Sequence, residues 1–148
     1  MDDGKQLFRI VIGAFREADL AASAIRELHD YGLADTQVCV IGASASVLRL
    51  ERAPYAEQRR FAGQVIEVTA PELFDRVWHE AAPAPSAEAG RTLAPWMTQG
   101  QSKAILDSLQ SGALVLLVSA STATEQVRAS RIQLNHHPSM VQAYSFMA

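Results

Sequence analysis

The segments of this chain that read as β-strands are apolar on both faces. In FRIVIGAF, starting at Phe8, residues Phe8, Ile10 and Ile12 point to one side and Arg9 and Val11 to the other. Around Leu114–Val118, Leu114, Leu116 and Val118 alternate with Val115 and Leu117. Val38 and Val40 alternate with Cys39 and Ile41, and Met140, Tyr144 and Phe146 with Val141 and Ala143. An antiparallel sheet with one wet face would show polar residues at every second position. Both faces of this sheet must therefore be covered. The sequence offers two covers. One is an internal segment carrying Leu73, Phe74, Val77 and Trp78. The other is a second copy packed sheet to sheet as a symmetric dimer. We expect a homodimer with the internal segment at its interface, involving Val11, Val115, Leu117, Phe74 and Trp78.

The strands are arranged in two similar halves. After the first strand, Leu20, Ala21, Ala24, Ile25 and Leu28 form one apolar helical stripe. Glu17 and Asp19 fall in its first turn, where the helix dipole favours negative charge. Gly32 stands where a left-handed cap is wanted, and TQVCVIG, ending at Gly42, is a second strand. The last third repeats the plan: GALVLLVSA is a strand, and a helix follows with Thr122 and Glu125 at capping-box spacing. Pro138 ends that helix, and MVQAYSF is the closing strand. Two βαβ halves predict an α+β fold, a ferredoxin-like split βαβ sandwich with a long insertion between the second and third core strands. Residues 1–148 would form one domain, with 44–100 as the inserted segment. Within it QVIEV reads as a short strand, PELFDRVWHEA as a helix, and PAPSAEAG as a linker; SKAILDSLQSG is a helix ended by Gly112.

Composition excludes several classes of function. The formal net charge is −3, so no global field attracts nucleic acid or an anionic membrane. One cysteine cannot make an intrachain disulfide. The start is acidic and Arg9 interrupts the first apolar run, unlike a secretory leader. No window holds the roughly 18 apolar residues a membrane helix needs. A cytoplasmic protein is expected.

Residues capable of chemistry are few. Cys39 sits mid-strand as a small buried apolar residue. His136 and His137 stand at a helix end, where imidazolium complements the dipole. No histidine, cysteine or carboxylate has metal-ligand spacing, and no metal or cofactor is expected. GQSKA lacks the GxxxxGK[ST] of a phosphate loop, and Ser102 reads as a helix cap. IGASAS is the more informative stretch. A strand exits into small residues whose N–H groups could hold an anion, and arginines follow. Gly42, Ser44, Ser46, Arg49 and Arg52 are the candidate ligand-binding residues, for a small anionic ligand. No acid–base pair or nucleophile is identified, so no catalytic residue is assigned. A pocket enzyme would have to use His79 and Tyr55.

The wording of the two halves, IVIGAFREADLAASAIRELHDYGLADTQVCVIG and SLQSGALVLLVSASTATEQVRASRIQLNHH, resembles the general stress protein 17M-like domain. The resemblance covers roughly 8–43 and 101–146. It implies a small stress-linked or regulatory protein without known catalytic residues. Relatives carry a glycine-rich apolar segment after the second strand; RLERAPYAEQRR stands here instead, so no membrane role is carried over. The expected function is non-catalytic regulation through homo-oligomerisation. The alternatives are a sensor of PII-like or ACT-like type for an anionic metabolite or nucleotide, with 42–60 as its effector loop, and a small ferredoxin-like enzyme.

Overall fold

The computed structural model describes residues 7–53, 64–67 and 99–147. Its first unit is β1 (Leu7–Phe15), α1 (Ala18–Tyr31) and β2 (Val38–Gly42), with a single 3-10 turn, Asp35–Gln37, leading into β2. The stripe of α1 is buried through Ala21, Ala22, Ala24, Ile25 and Leu28. Gly32 ends the helix at φ 119°, with its N–H on the His29 carbonyl and the Leu33 N–H on the Leu28 carbonyl. That left-handed turn closes the orphan carbonyls and is costly for any residue with a Cβ.

Next come α2 (Ser44–Glu51), β3 (Gln64–Glu67) and α3 (Gln99–Gln110). The last unit is β4 (Leu114–Ala120), α4 (Ala123–Leu134) and β5 (Met140–Met147). The short strand expected near 64–68 and the helix before Gly112 are both present. The stretch after Ile41, expected as an open turn and loop, is instead helical from Ser44. Val47 and Leu50, three apart, bury on the α1 side of the sheet, and this burial favours a helix there. Ser102 lies inside α3 rather than at its cap. The helix expected over 71–81, with Phe74, Trp78 and His79, lies outside the described residues, as does Tyr55.

The sheet has the order β3-β2-β4-β1-β5. β4 lies between β1 and β2, and β1 lies between β4 and β5, all antiparallel. Each helix-linked strand pair is thus split by a strand of the other half. β3 adds a fifth strand parallel to β2. At the start of α4 the Thr122 hydroxyl accepts from the Glu125 N–H at 3.0 Å. The Glu125 carboxylate accepts from the Ser121 N–H and from the Gln37 amide, which also donates to the Ser119 carbonyl. Gln37 therefore ties the entry of β2 to the end of β4.

The register sorts the apolar residues onto two faces. On one face Phe15, Val40, Leu114 and Leu116 pack against α1 and α2, while Val11, Val38 and Val118 pack against Leu28, Ala129 and Ile132. On the other face Ile10, Ile12, Cys39, Ile41, Val115 and Leu117 pack against Ile105 and Leu109 of α3. The second face is thus buried within one chain, and α3 contributes to its cover. Val11, Val115 and Leu117, expected together at a dimer interface, are each 0% exposed. They do not share a face: Val11 lies opposite Val118 in register, whereas Leu117 lies opposite Ile12. All three pack inside the chain, Val11 on the α1 side and Val115 and Leu117 on the α3 side.

Gly13 is needed for a close approach. A Cβ there would run into Gln133, meeting its Oε1 first and its Cδ at 2.9 Å. Gln133 is wholly buried, so its amide end would have to shift within the core to admit a Cβ.

Two outcomes follow. Ile105→Ala should lower stability by about 2–5 kcal/mol, whereas Val127→Ala, exposed on α4, should change it by less than about 0.5 kcal/mol in urea unfolding. Gly13→Ala should cost about 1–3 kcal/mol, and less in a Gln133→Ala background; equal costs in both backgrounds would refute the contact.

Candidate functional site

β1 and β2 run parallel with β4 between them, so their C-terminal ends share one rim of the sheet. The N-terminal end of β4 is at the same rim, since Phe15 lies opposite Leu114. So is the start of β5, where Met140 lies opposite Ala14. The turns that meet there are Arg16–Glu17, Ala43–Ser44, Ser111–Gly112 and the approach to Ser139. Rims at the C-terminal ends of parallel strands are where α/β architectures present helix N-termini to ligands.

A cavity of about 260 Å³ opens at this rim, lined by Arg16, Glu17, Asp19, Ser46, Arg49 and Gly112 among others. β1 delivers Arg16 because Phe15, wholly buried, anchors the strand just before it. α1 begins here from Glu17, an extended N-cap whose side chain makes no cap hydrogen bond. The first N–H groups of α1 therefore lack a side-chain acceptor from the N-cap. α2 supplies Ser46 and Arg49, one turn apart. Ser46 is buried and its hydroxyl donates to the Gly112 carbonyl at 2.7 Å, which locks α2 to the α3–β4 turn. Gly112 holds that turn at φ 92°, with its N–H on the Leu109 carbonyl and the Ala113 N–H on the Ser108 carbonyl. Arg49 donates from Nε to the Ala45 carbonyl at 3.4 Å, and its terminal amino groups make no hydrogen bond to another of the described residues.

The cavity is electrically mixed. Arg16 and Arg49 face Glu17 and Asp19, and among the described residues none of the four makes an ion pair with another. The carboxylates stand at the N-cap (Glu17) and in the first turn (Asp19) of α1, where they offset its dipole. Arg49 stands in the last turn of α2, where a cation complements the dipole, and neither arginine has a carboxylate partner among the described residues.

Of the five residues the sequence pointed to, the structure brings two to this cavity, Ser46 and Arg49. Gly42 is buried at the end of β2, where a Cβ would meet Leu114 Cδ2 at 2.7 Å; its small size serves packing. Ser44 turns the other way and donates to Glu67 Oε2 at 2.7 Å. Arg52 caps the C-terminus of α2 and is not among the lining residues. Sequence reasoning missed Arg16 and Gly112. The signal for Arg16 was its place immediately after a βαβ unit's first strand.

The other chemical candidates resolve into structural roles. Cys39 is buried, and burial pushes its thiol up to about 12. Burial also pushes the Tyr144 hydroxyl up. His136 Nε2 lies 3.2 Å from Glu27 Oε2, so it joins α4's end to α1 rather than only capping a helix. His29 Nε2 meets Asp35 Oδ1 and ties the end of α1 to the 3-10 turn. His137 takes a left-handed backbone, φ 56°, in the turn before β5.

A raised thiol pKa means the folded state holds the proton more tightly than the unfolded chain. Stability from this group is full below the ordinary thiol pKa of 9.0 and declines as pH rises from there toward about 12. Iodoacetamide at neutral pH should leave native Cys39 unmodified and alkylate it rapidly in urea. Fast native labelling would contradict the burial. Cys39→Val should flatten the alkaline loss of stability in that window.

No family model matches the chain, and no curated protein or solved structure matches it.

Proposed function

We propose that the chain is a non-catalytic regulatory module that senses a small anionic ligand at the rim of its sheet. The observation that carries this reading is the pair Arg16 and Arg49, with no carboxylate partner among the described residues, across one cavity at the uncapped start of α1. Guanidinium groups present fixed donors that match phosphate and carboxylate oxygens, and a helix N-terminus adds N–H groups and a favourable dipole. Glu17 and Asp19 oppose an anion. A ligand must therefore reach both arginines at once, which favours a compact multivalent group such as phosphate over a lone monovalent ion.

The strand order, with each βαβ pair split by a strand of the other half, supports a ferredoxin-like sandwich as the architecture. A ligand at one rim would act by tightening α1, α2 and the α3–β4 turn together, because Ser46 already couples α2 to that turn. The buried, neutral state of Cys39 fits a non-catalytic role for that residue. The stress-linked regulatory role implied by the sequence resemblance fits a sensor in a cytoplasmic setting.

A second reading, regulation through pairing of two copies, has one observation in its favour. Tyr31, Val127 and Leu134 are 39%, 52% and 57% exposed, and Tyr31 and Val127 line a common hollow between α1 and α4. Native mass spectrometry of the protein and of Val127→Asp tests it: a dimer lost in the variant supports pairing through this face, and a monomeric parent protein refutes it.

For the primary reading, inorganic phosphate should raise the thermal midpoint by mass action. At about 100 times its dissociation constant the stabilisation is about 2.7 kcal/mol. Arg49→Ala and Arg16→Ala should each remove most of the shift, and Glu17→Gln should enlarge it. A phosphate response that survives loss of both arginines would sink the assignment.

A further inference from the structure

Arg16 has a second neighbour. On its other side lies a cavity of about 450 Å³, bounded by Asp107, Ser108 and Ser111 of the α3 end and by Ser139 and Met140 at the start of β5. The two cavities therefore share Arg16 as a common wall. A ligand held by Arg16 in the first cavity therefore has the second as its neighbour.

The hydrogen bonds at this second cavity define what it can accept. The Ser108 hydroxyl donates to the Ala104 carbonyl at 2.9 Å, and the Ser111 hydroxyl to the Ser108 carbonyl at 2.9 Å. The Ser139 hydroxyl donates to the Ala14 carbonyl at 3.2 Å. A carbonyl can only accept, so each serine has committed its single proton to the backbone. What each hydroxyl retains is lone pairs. The Asp107 carboxylate is also an acceptor and makes no ion pair among the described residues. Beside the Arg16 guanidinium the second cavity thus offers mainly acceptors, with Met140 as an apolar wall.

From these acceptors next to Arg16 we infer that the ligand is a sugar phosphate: an anionic group held by Arg16 and Arg49, and a hydroxyl-rich body held in the cavity of Asp107, Ser108, Ser111 and Ser139. A polyol supplies several O–H donors at the spacing of a few bonds, and one carboxylate can accept from two adjacent hydroxyls. A sugar's C–H face suits Met140. This inference rests on the anion site proposed above and specifies what is attached to the anion.

The test is calorimetric titration of the whole chain with three probes: inorganic phosphate, ribose phosphate and aminoethyl phosphate. Ribose phosphate should bind about tenfold or more tighter than inorganic phosphate, the gain expected from two or three added hydrogen bonds, one set to a charged group. Asp107→Ala and Ser139→Ala should each cut that advantage while leaving inorganic phosphate binding unchanged; the unchanged phosphate binding also reports an intact fold. Equal binding of ribose phosphate and inorganic phosphate overturns the sugar assignment and leaves the anion site standing. Tighter binding of aminoethyl phosphate than of ribose phosphate also overturns it, since the acceptors would then serve an ammonium group. An advantage that persists in both variants overturns it as well. If inorganic phosphate itself fails to bind, the anion site fails and this inference with it.

Discussion

A five-stranded sheet with apolar residues on both faces must be covered twice, and the rest of the structure depends on that requirement. The helices of the two βαβ units cover one face. The other would leave Ile10, Ile12, Ile41, Val115 and Leu117 in water, each worth about 1.5–3 kcal/mol when buried. The segment between β2 and β4 meets this need in part with Ile105 and Leu109 of α3. That arrangement fixes where α3 ends. Its last turn and the left-handed Gly112 are held above the rim of the sheet, next to the starts of α1 and α2.

The candidate site is a by-product of the same cover. α3 brings Asp107, Ser108 and Ser111 to the rim from one face, while α1 and α2 bring Arg16 and Arg49 from the other. The edge of the sheet is the boundary between two small cavities, and Arg16, one residue beyond buried Phe15, stands on it. Few polar groups at the rim are idle. Serine protons satisfy carbonyls at the strand and helix ends, and the hydroxyls keep their lone pairs. The site is thus polarised by ordinary helix and turn hydrogen bonding rather than by residues set apart for the purpose.

Much of the fold was legible from local pattern. The α1 stripe, the Gly32 cap, the Thr122–Glu125 contact and the five strands all follow from short-range rules, and each appears where those rules put it. α2 was not legible as a helix, because Ser44 and Ser46 are weak helix formers just after a strand and the burial of Val47 and Leu50 decides the matter. The partition of faces was half legible. Period-two alternation showed that both faces are buried, but not that Val11 and Val115 look in opposite directions. That relation depends on the register between β1 and β4, which pairs Val11 with Val118 and Ala14 with Val115. A shift of one residue would reverse it.

The sequence by itself determined that this chain needs a doubly covered sheet, because the alternation of apolar side chains is a property of each strand alone. It also determined that Arg49 and Ser46 would lie one turn apart once that stretch became helical. Only the tertiary structure decided that α3 contributes to the second cover and that Arg16 joins Arg49 across a cavity. Those relations connect residues far apart in the chain. They are set by strand order, register and the direction in which each helix leaves the sheet, and no local spacing encodes them.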